Sequence, residues 1–302
     1  MDWLWIPITV WAAFAQTVRN AAQRSLTASL GTLGATLVRF LYGLPFALLW
    51  LAAVAAWSGE ALPETSDAFW GWVALGGLSQ IAATALLLAA MQERNFALGV
   101  AYSKTEILQL ALFAVVFLGD PLGPGATFAV LAGTLGVMLL SPVDRERPIR
   151  TLLAGWMSKA SLLGIASGAG FALAAVGYRG AALALPGAGF LMAAAAALAA
   201  AQFLQTLALG GWLALRAPAV IGRALREWRR SLLAGFMGAA ASAGWFTAFA
   251  LEPAAHVRTL GLVELVFSYA VSRKLFRERL TRLEVAGMSL LALGVAAIAL
   301  AR

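Results

Sequence analysis

Charged side chains are scarce in this chain, and those falling inside its apolar runs mark where chemistry is available. The deep ones are Arg39, Lys104, Glu106 and Glu264, with His256 and Arg258 nearer a helix end. A charge at the centre of a bilayer costs about 2.5–3.5 kcal/mol on insertion scales, so each needs a partner or a task. Glu106 and Glu264 are suited to binding a cationic group or to carrying a coupling proton. They are equally suited to a structural role, capping a broken helix. Lys104 stands two residues from Glu106, so the two point to different sides of a helix and are not a ladder pair. Lys104 therefore meets either a carboxylate from another helix or a solute. Arg39 either faces the interior or snorkels to the interface, with Tyr42 on its face.

Uncharged groups extend this set. Gln16, Gln80, Thr84 and Tyr102 are mid-span polar residues, able to bond a solute or simply a neighbouring helix. Most tryptophans fall near helix ends, where an interfacial belt explains them. Trp11 and Trp245 fall mid-helix, Trp245 within the small-residue stretch SAGWFTAF. The candidate binding residues are thus Trp11, Gln16, Arg39, Gln80, Tyr102, Lys104, Glu106, Trp245 and Glu264. Glu252 and His256 lie four apart across Pro253, the spacing of a local hydrogen bond. One histidine and no cysteine exclude the clusters that zinc, haem or thiolate chemistry requires. With no nucleophile–base–acid set in view, no catalytic residue, metal or cofactor is expected. Gly-rich stretches such as GIASGAGFALAAVGYRG lack the context of a phosphate loop and suit close helix packing.

The elements that must carry these residues follow from composition. Of 302 residues, 62% are apolar and 12% charged, about half the charge content of soluble domains. That excludes a soluble enzyme, a disordered chain and a nucleic-acid-binding domain. Charges, prolines and glycines divide the apolar runs into ten expected transmembrane helices, at 3–23, 30–57, 68–91, 98–118, 123–141, 153–178, 186–215, 229–251, 256–276 and 281–301. The first reads as a retained helix rather than a signal peptide. The fold class is an all-α membrane protein. The longest polar connections are 141–150 and 216–230, the latter with the amphipathic pattern of a surface-lying helix.

The net charge of +8 reflects basic connections rather than nucleic-acid binding. Connections after odd-numbered helices, with their edges, hold seventeen of the 22 Lys and Arg, among them Arg19, Arg24, Arg94 and Lys159. The positive-inside bias puts that side in the cytoplasm and both termini outside it.

A shift of 158 residues aligns the stretch from Ser103 with that from Gly261. Glu106 then meets Glu264, Asp120 meets Glu278 and Gly136 meets Gly294. Five helices per repeat is an odd number, so the second half is inverted relative to the first. The expected organisation is a five-helix repeat at 1–142, a cytoplasmic linker at 143–152 and an inverted five-helix repeat at 153–302. Inverted repeats suit a carrier with two near-equivalent states open to opposite sides.

The pattern VELVFSYAVSRKLFRERLTRLEVAGMSLLALGVAAIAL resembles the EamA domain of the drug/metabolite transporter superfamily. Glu106 and Glu264 match the family's glutamate near the start of its fourth helix. Gly119-Asp120-Pro121-Leu122 and Arg277-Glu278-Arg279-Leu280 match the acidic turn that follows. Where the family has proline after the glutamate, Ile107 and Leu265 stand here. Many relatives also keep both ends in the cytoplasm. The resemblance implies a monomeric ten-helix secondary carrier in the plasma membrane (the inner membrane of a bacterium). It would export a small organic solute such as an amino acid, metabolite or drug-like amine by alternating access. The cavity would lie between helices 1–4 and 6–9, with helices 5 and 10 peripheral. Other readings remain: a flippase for a lipid-linked amphiphile, a membrane enzyme acting on head groups, and a non-transporting scaffold.

Overall fold

The computed structural model describes residues 3–106, 108–109, 124–140, 157–251, 257 and 260–300. The regular elements among the described residues are all helices. In chain order they are α1 (Trp5–Leu41), α2 (Leu44–Ser58), α3 (Asp67–Glu93), α4 (Phe96–Ser103), α5 (Pro124–Leu139), α6 (Lys159–Leu183), α7 (Phe190–Arg216), α8 (Pro218–Arg226), α9 (Trp228–Leu251), α10 (Val263–Lys274) and α11 (Arg282–Leu300). Among the described residues, four helical stretches are long and apolar enough to cross a bilayer: Trp5–Ser58, Asp67–Glu93, Lys159–Leu183 and Phe190–Arg216. Leu49, Trp57, Leu183, Leu215 and Leu293 lie on the outside of the bundle. Hydrocarbon solvates such a surface, whereas water would drive it to aggregate.

The N-terminal region departs from the sequence reading. The expected connection between residues 23 and 30 is helical, and α1 is interrupted only at Gly31 (φ 69°, ψ 173°). Arg19, Asn20 and Gln23, at the end of the helix expected over 3–23, are buried. Their hydrogen bonds are made inside the molecule, so nothing obliges the helix to end there. Gln23 Nε2 donates to the Ala35 carbonyl at 2.8 Å. Along an unbroken helix twelve residues would span about 18 Å, so the chain folds back at Gly31. A second break comes at Tyr42–Gly43, before the proline in the first turn of α2, where the missing N–H of proline is no loss.

The helix expected over 98–118 is also divided. It begins at Phe96 and ends as α4 at Ser103. Lys104 N bonds Ala101 O at 3.0 Å and Thr105 N bonds Tyr102 O at 3.2 Å, three-residue spans that tighten the coil into a 3₁₀ turn. Helix resumes at Glu106. Residues 110–118, the turn acid Asp120, the linker 143–152 and the Glu252–His256 pair lie outside the described residues.

Elsewhere the boundaries lie close to expectation. Ser66 and Ser158 cap α3 and α6, their hydroxyls accepting from Phe69 N and Ser161 N, which satisfies donors left free at a helix start. The amphipathic segment forms α8, with Ala224 turned inward and Arg223 and Arg226 exposed. Tyr42 Oη donates to the Ala224 carbonyl at 3.2 Å, fixing α8 to α1.

The most extensive packing joins α1 to α9, α3 to α6 and α5 to α11. Small residues let these axes approach. A Cβ on Gly177 would lie 2.5 Å from Gly76 N, and one on Gly287 would lie 2.7 Å from the Gly136 carbonyl. Polar contacts collect at the two ends. At one, Arg24 pairs with Glu278, Arg94 with Glu284 at 2.6 Å and Lys159 with Glu93 at 2.6 Å. At the other, Glu60 accepts from the N–H of Gly189, at the start of α7.

Candidate functional site

Glu264 lies in the first turn of α10 and is 1% exposed. Three groups from the first half of the chain converge on its carboxylate. Gln16 Nε2 donates to Oε2 at 2.7 Å, Lys104 Nζ lies 2.5 Å from the same oxygen, and Asn20 Nδ2 approaches Oε1 at 3.5 Å. Trp245 Nε1, on α9, donates to Gln16 Oε1 at 3.1 Å. Gln16 is thus held by its oxygen and aimed by its nitrogen. Gln16 and Asn20 are four apart on α1 and so share a face. Lys104 reaches the carboxylate because the tightened turn after α4 carries it off the helix. A buried carboxylate with this many donors is fixed in place. Gln16, Lys104 and Trp245 are themselves only half-buried.

Two arginines adjoin it. Arg19 bonds Asn20 Oδ1 through Nε at 3.2 Å and Nη2 at 2.8 Å. Arg39 Nη1 donates to Thr84 Oγ1 at 3.0 Å, with its guanidinium 5.3 Å from the Phe40 ring centre. Both are 4% exposed. Arg39 is therefore an interior residue and not a snorkelling one. Arg19, read from the sequence as part of a cytoplasmic connection, is a mid-helix interior residue.

Among the other candidates, Gln80 Oε1 accepts from Tyr178 Oη at 2.8 Å and Gln205 Nε2 at 2.9 Å, tying α3 to α6 and α7. Tyr102 is fully buried among apolar residues of the central core, its stem against Gly164. Trp11 is 46% exposed and lies 5.9 Å from Phe14, whose ring meets Phe267 edge-on at 5.8 Å. Glu106 is half-buried and partnered. The two glutamates paired by the repeat thus differ in burial.

Asn20, Arg19, Tyr178 and Gln205 were missed by sequence reasoning. For Asn20 and Gln23 a signal existed: with Gln16 they fall at i, i+4 and i+7, one continuous helix face. Tyr178 and Gln205 carried no such signal.

A solved structure described only as "Crystal structure of protein" matches with a TM-score of 0.61, covering 100% of this chain and 97% of that one at 19% identity. At that identity the likeness is one of fold. No family model and no curated protein matches the chain.

Proposed function

We propose that this chain is a secondary carrier that moves a small organic solute across the membrane by alternating access, built as ten spans in two inverted five-helix repeats. The observation that carries the reading is the Glu264 cluster. Lys104, Gln16 and Asn20 from the first half meet Glu264, itself steadied through Trp245 and Gln16, from the second half. An ionised group deep in an apolar bundle, bonded across two halves, is expected where those halves must part and rejoin.

Two features of the packing support the repeat. Counting spans, α1 against α9 is the first on the eighth, and α3 against α6 is the third on the sixth. A shift of five exchanges these two pairs and maps the α5–α11 pair onto itself. The tightened turn also recurs. Lys104 and Leu262 are the turn residues two places before Glu106 and Glu264, and Leu265 N bonds Leu262 O at 2.9 Å. The kink needs no proline, because short i→i+3 bonds produce it.

The end closed by the Arg24–Glu278 and Arg94–Glu284 pairs gathers connections rich in Lys and Arg, which supports its assignment to the cytoplasm with both termini outside. The protein would work as a monomer in a bacterial inner membrane, exporting its solute without cofactor or covalent chemistry. Reconstituted proteoliposomes loaded with labelled solute pools test this. Flux is expected for at least one pool, and a Glu264→Gln variant is expected to lose most of it. Correctly inserted protein that moves none of a broad panel would refute the reading and favour a scaffold.

A further inference from the structure

The charges around Glu264 do not balance. Lys104 is bonded to it, but Arg19 and Arg39 meet no carboxylate among the described residues; their partners are the neutral Asn20 and Thr84. Even with Glu106 counted, three cations face two acids. The two arginines come together at one point on α9, where a Cβ on Gly238 would lie 3.3 Å from Arg19 Cδ and 3.3 Å from Arg39 Cγ. A glycine there leaves room for both stems. Two like charges beside each other, largely cut off from water, each raise the cost of the other.

Each guanidinium offers five N–H donors in a planar fork. Asn20 takes two from Arg19, and Thr84 takes one from Arg39. The remaining donors and the surplus charge match an oxyanion, which accepts paired bonds from such forks and neutralises them. The Lys104–Glu264 pair next to them is already neutral and adds no demand for a cation. Resting on the carrier reading, we infer that the solute is an organic anion whose carboxylate or phosphate is held between Arg19 and Arg39. Amines lacking an acid group are not substrates. Trp245 and Gln16, half-exposed beside the cluster, face the remainder of the solute.

The test uses the full chain in detergent and three solute pools: carboxylates (amino, keto and hydroxy acids), phosphomonoesters, and primary amines without an acid group, each against matched chloride. The carboxylate or the phosphomonoester pool is expected to raise the thermal midpoint, and whichever does so identifies the oxyanion. Apparent affinity is expected to fall roughly 100-fold in Arg39→Gln and in Arg19→Gln, and about tenfold in Arg39→Lys, which keeps the charge but not the fork. Stabilisation by amines and not by acids, by chloride to the same extent, by no pool, or undiminished in both Gln variants would overturn the inference. The pool arm reads the wild-type chain, so misfolding of a variant leaves it decisive. Flux separates the two claims. Acids that bind without crossing proteoliposomes would sink the carrier and keep the anion site. Amine flux untouched by the Gln variants would do the reverse.

Discussion

Lys104 Nζ and Glu264 Oε2 lie 2.5 Å apart although 160 residues separate them in the chain. One sits on the turn that ends α4 and the other in the first turn of α10. The bond therefore closes a long loop of chain deep in an apolar bundle, and the Glu264 charge has no water to fall back on.

Removing one partner strands the other. Glu264→Gln leaves Lys104 without its acid, and Lys104→Met leaves Glu264 with only amide donors. Each single change is expected to destabilise by about 3–5 kcal/mol, the range for breaking a buried pair. The double variant should lose much less than the two losses combined. Thermal unfolding in detergent of the four proteins measures the coupling; additive losses would mean the pair contributes nothing as a pair.

A second prediction concerns the end that carries Arg24 and Glu278. Glu278 also accepts from Phe96 N at 2.9 Å and Ser272 Oγ at 2.5 Å, so one carboxylate ties α1, α4 and α10 together. The chain has no native cysteine, which makes single-cysteine labelling clean. Ala97→Cys, at a fully buried position, should react slowly with a maleimide in the parent protein. Adding Glu278→Gln should speed the reaction by about tenfold or more, as expected for loss of a charge-assisted hydrogen bond. Equal rates would show that this end is held by packing alone.

Glycine crossings should be intolerant in proportion to what a methyl group meets. At Gly136 a Cβ would lie 2.7 Å from Leu291 N, a backbone atom that cannot turn aside. Gly136→Ala is expected to cost about 1–3 kcal/mol, the range for overpacking. Gly211, with nothing within 4 Å of a Cβ, is the control. Gly211→Ala should be neutral or stabilising by up to about 1 kcal/mol, because alanine is the better helix former. Unfolding midpoints of the two variants decide it.

Orientation gives a fourth expectation. Glu64 is exposed in the segment between α2 and α3, and Glu227 lies at the α8–α9 junction near the opposite end. A membrane-impermeant thiol reagent should label Glu64→Cys in intact cells and Glu227→Cys only after lysis. The reverse pattern would invert the assignment of the basic side.

Much of the scaffold was legible because hydrocarbon imposes long apolar runs. The expected 281–301 and 229–251 helices correspond to α11 (Arg282–Leu300) and α9 (Trp228–Leu251). Polar residues caused the main error. A connection was expected after residue 23 because polar residues crowd there and each alone is costly in lipid, yet Arg19, Asn20 and Gln23 find their acceptors inside the bundle. The candidate site was half legible. Glu264, Lys104, Gln16 and Trp245 stood out as polar or aromatic residues in apolar surroundings, but their mutual bonding depends on how distant helices pack. The correspondence of Glu106 with Glu264 in sequence did not predict their different burial, since neighbours from other helices decide it.

The reversal at Gly31 leaves the first two passes almost no slack. With a single non-helical residue between them and Gln23 clasping Ala35 across the corner, they form one stiff hairpin. Any rocking of Gln16 and Asn20 must drag Arg39 along, so the amide donors to Glu264 and a guanidinium about two turns past the corner travel on a common lever arm.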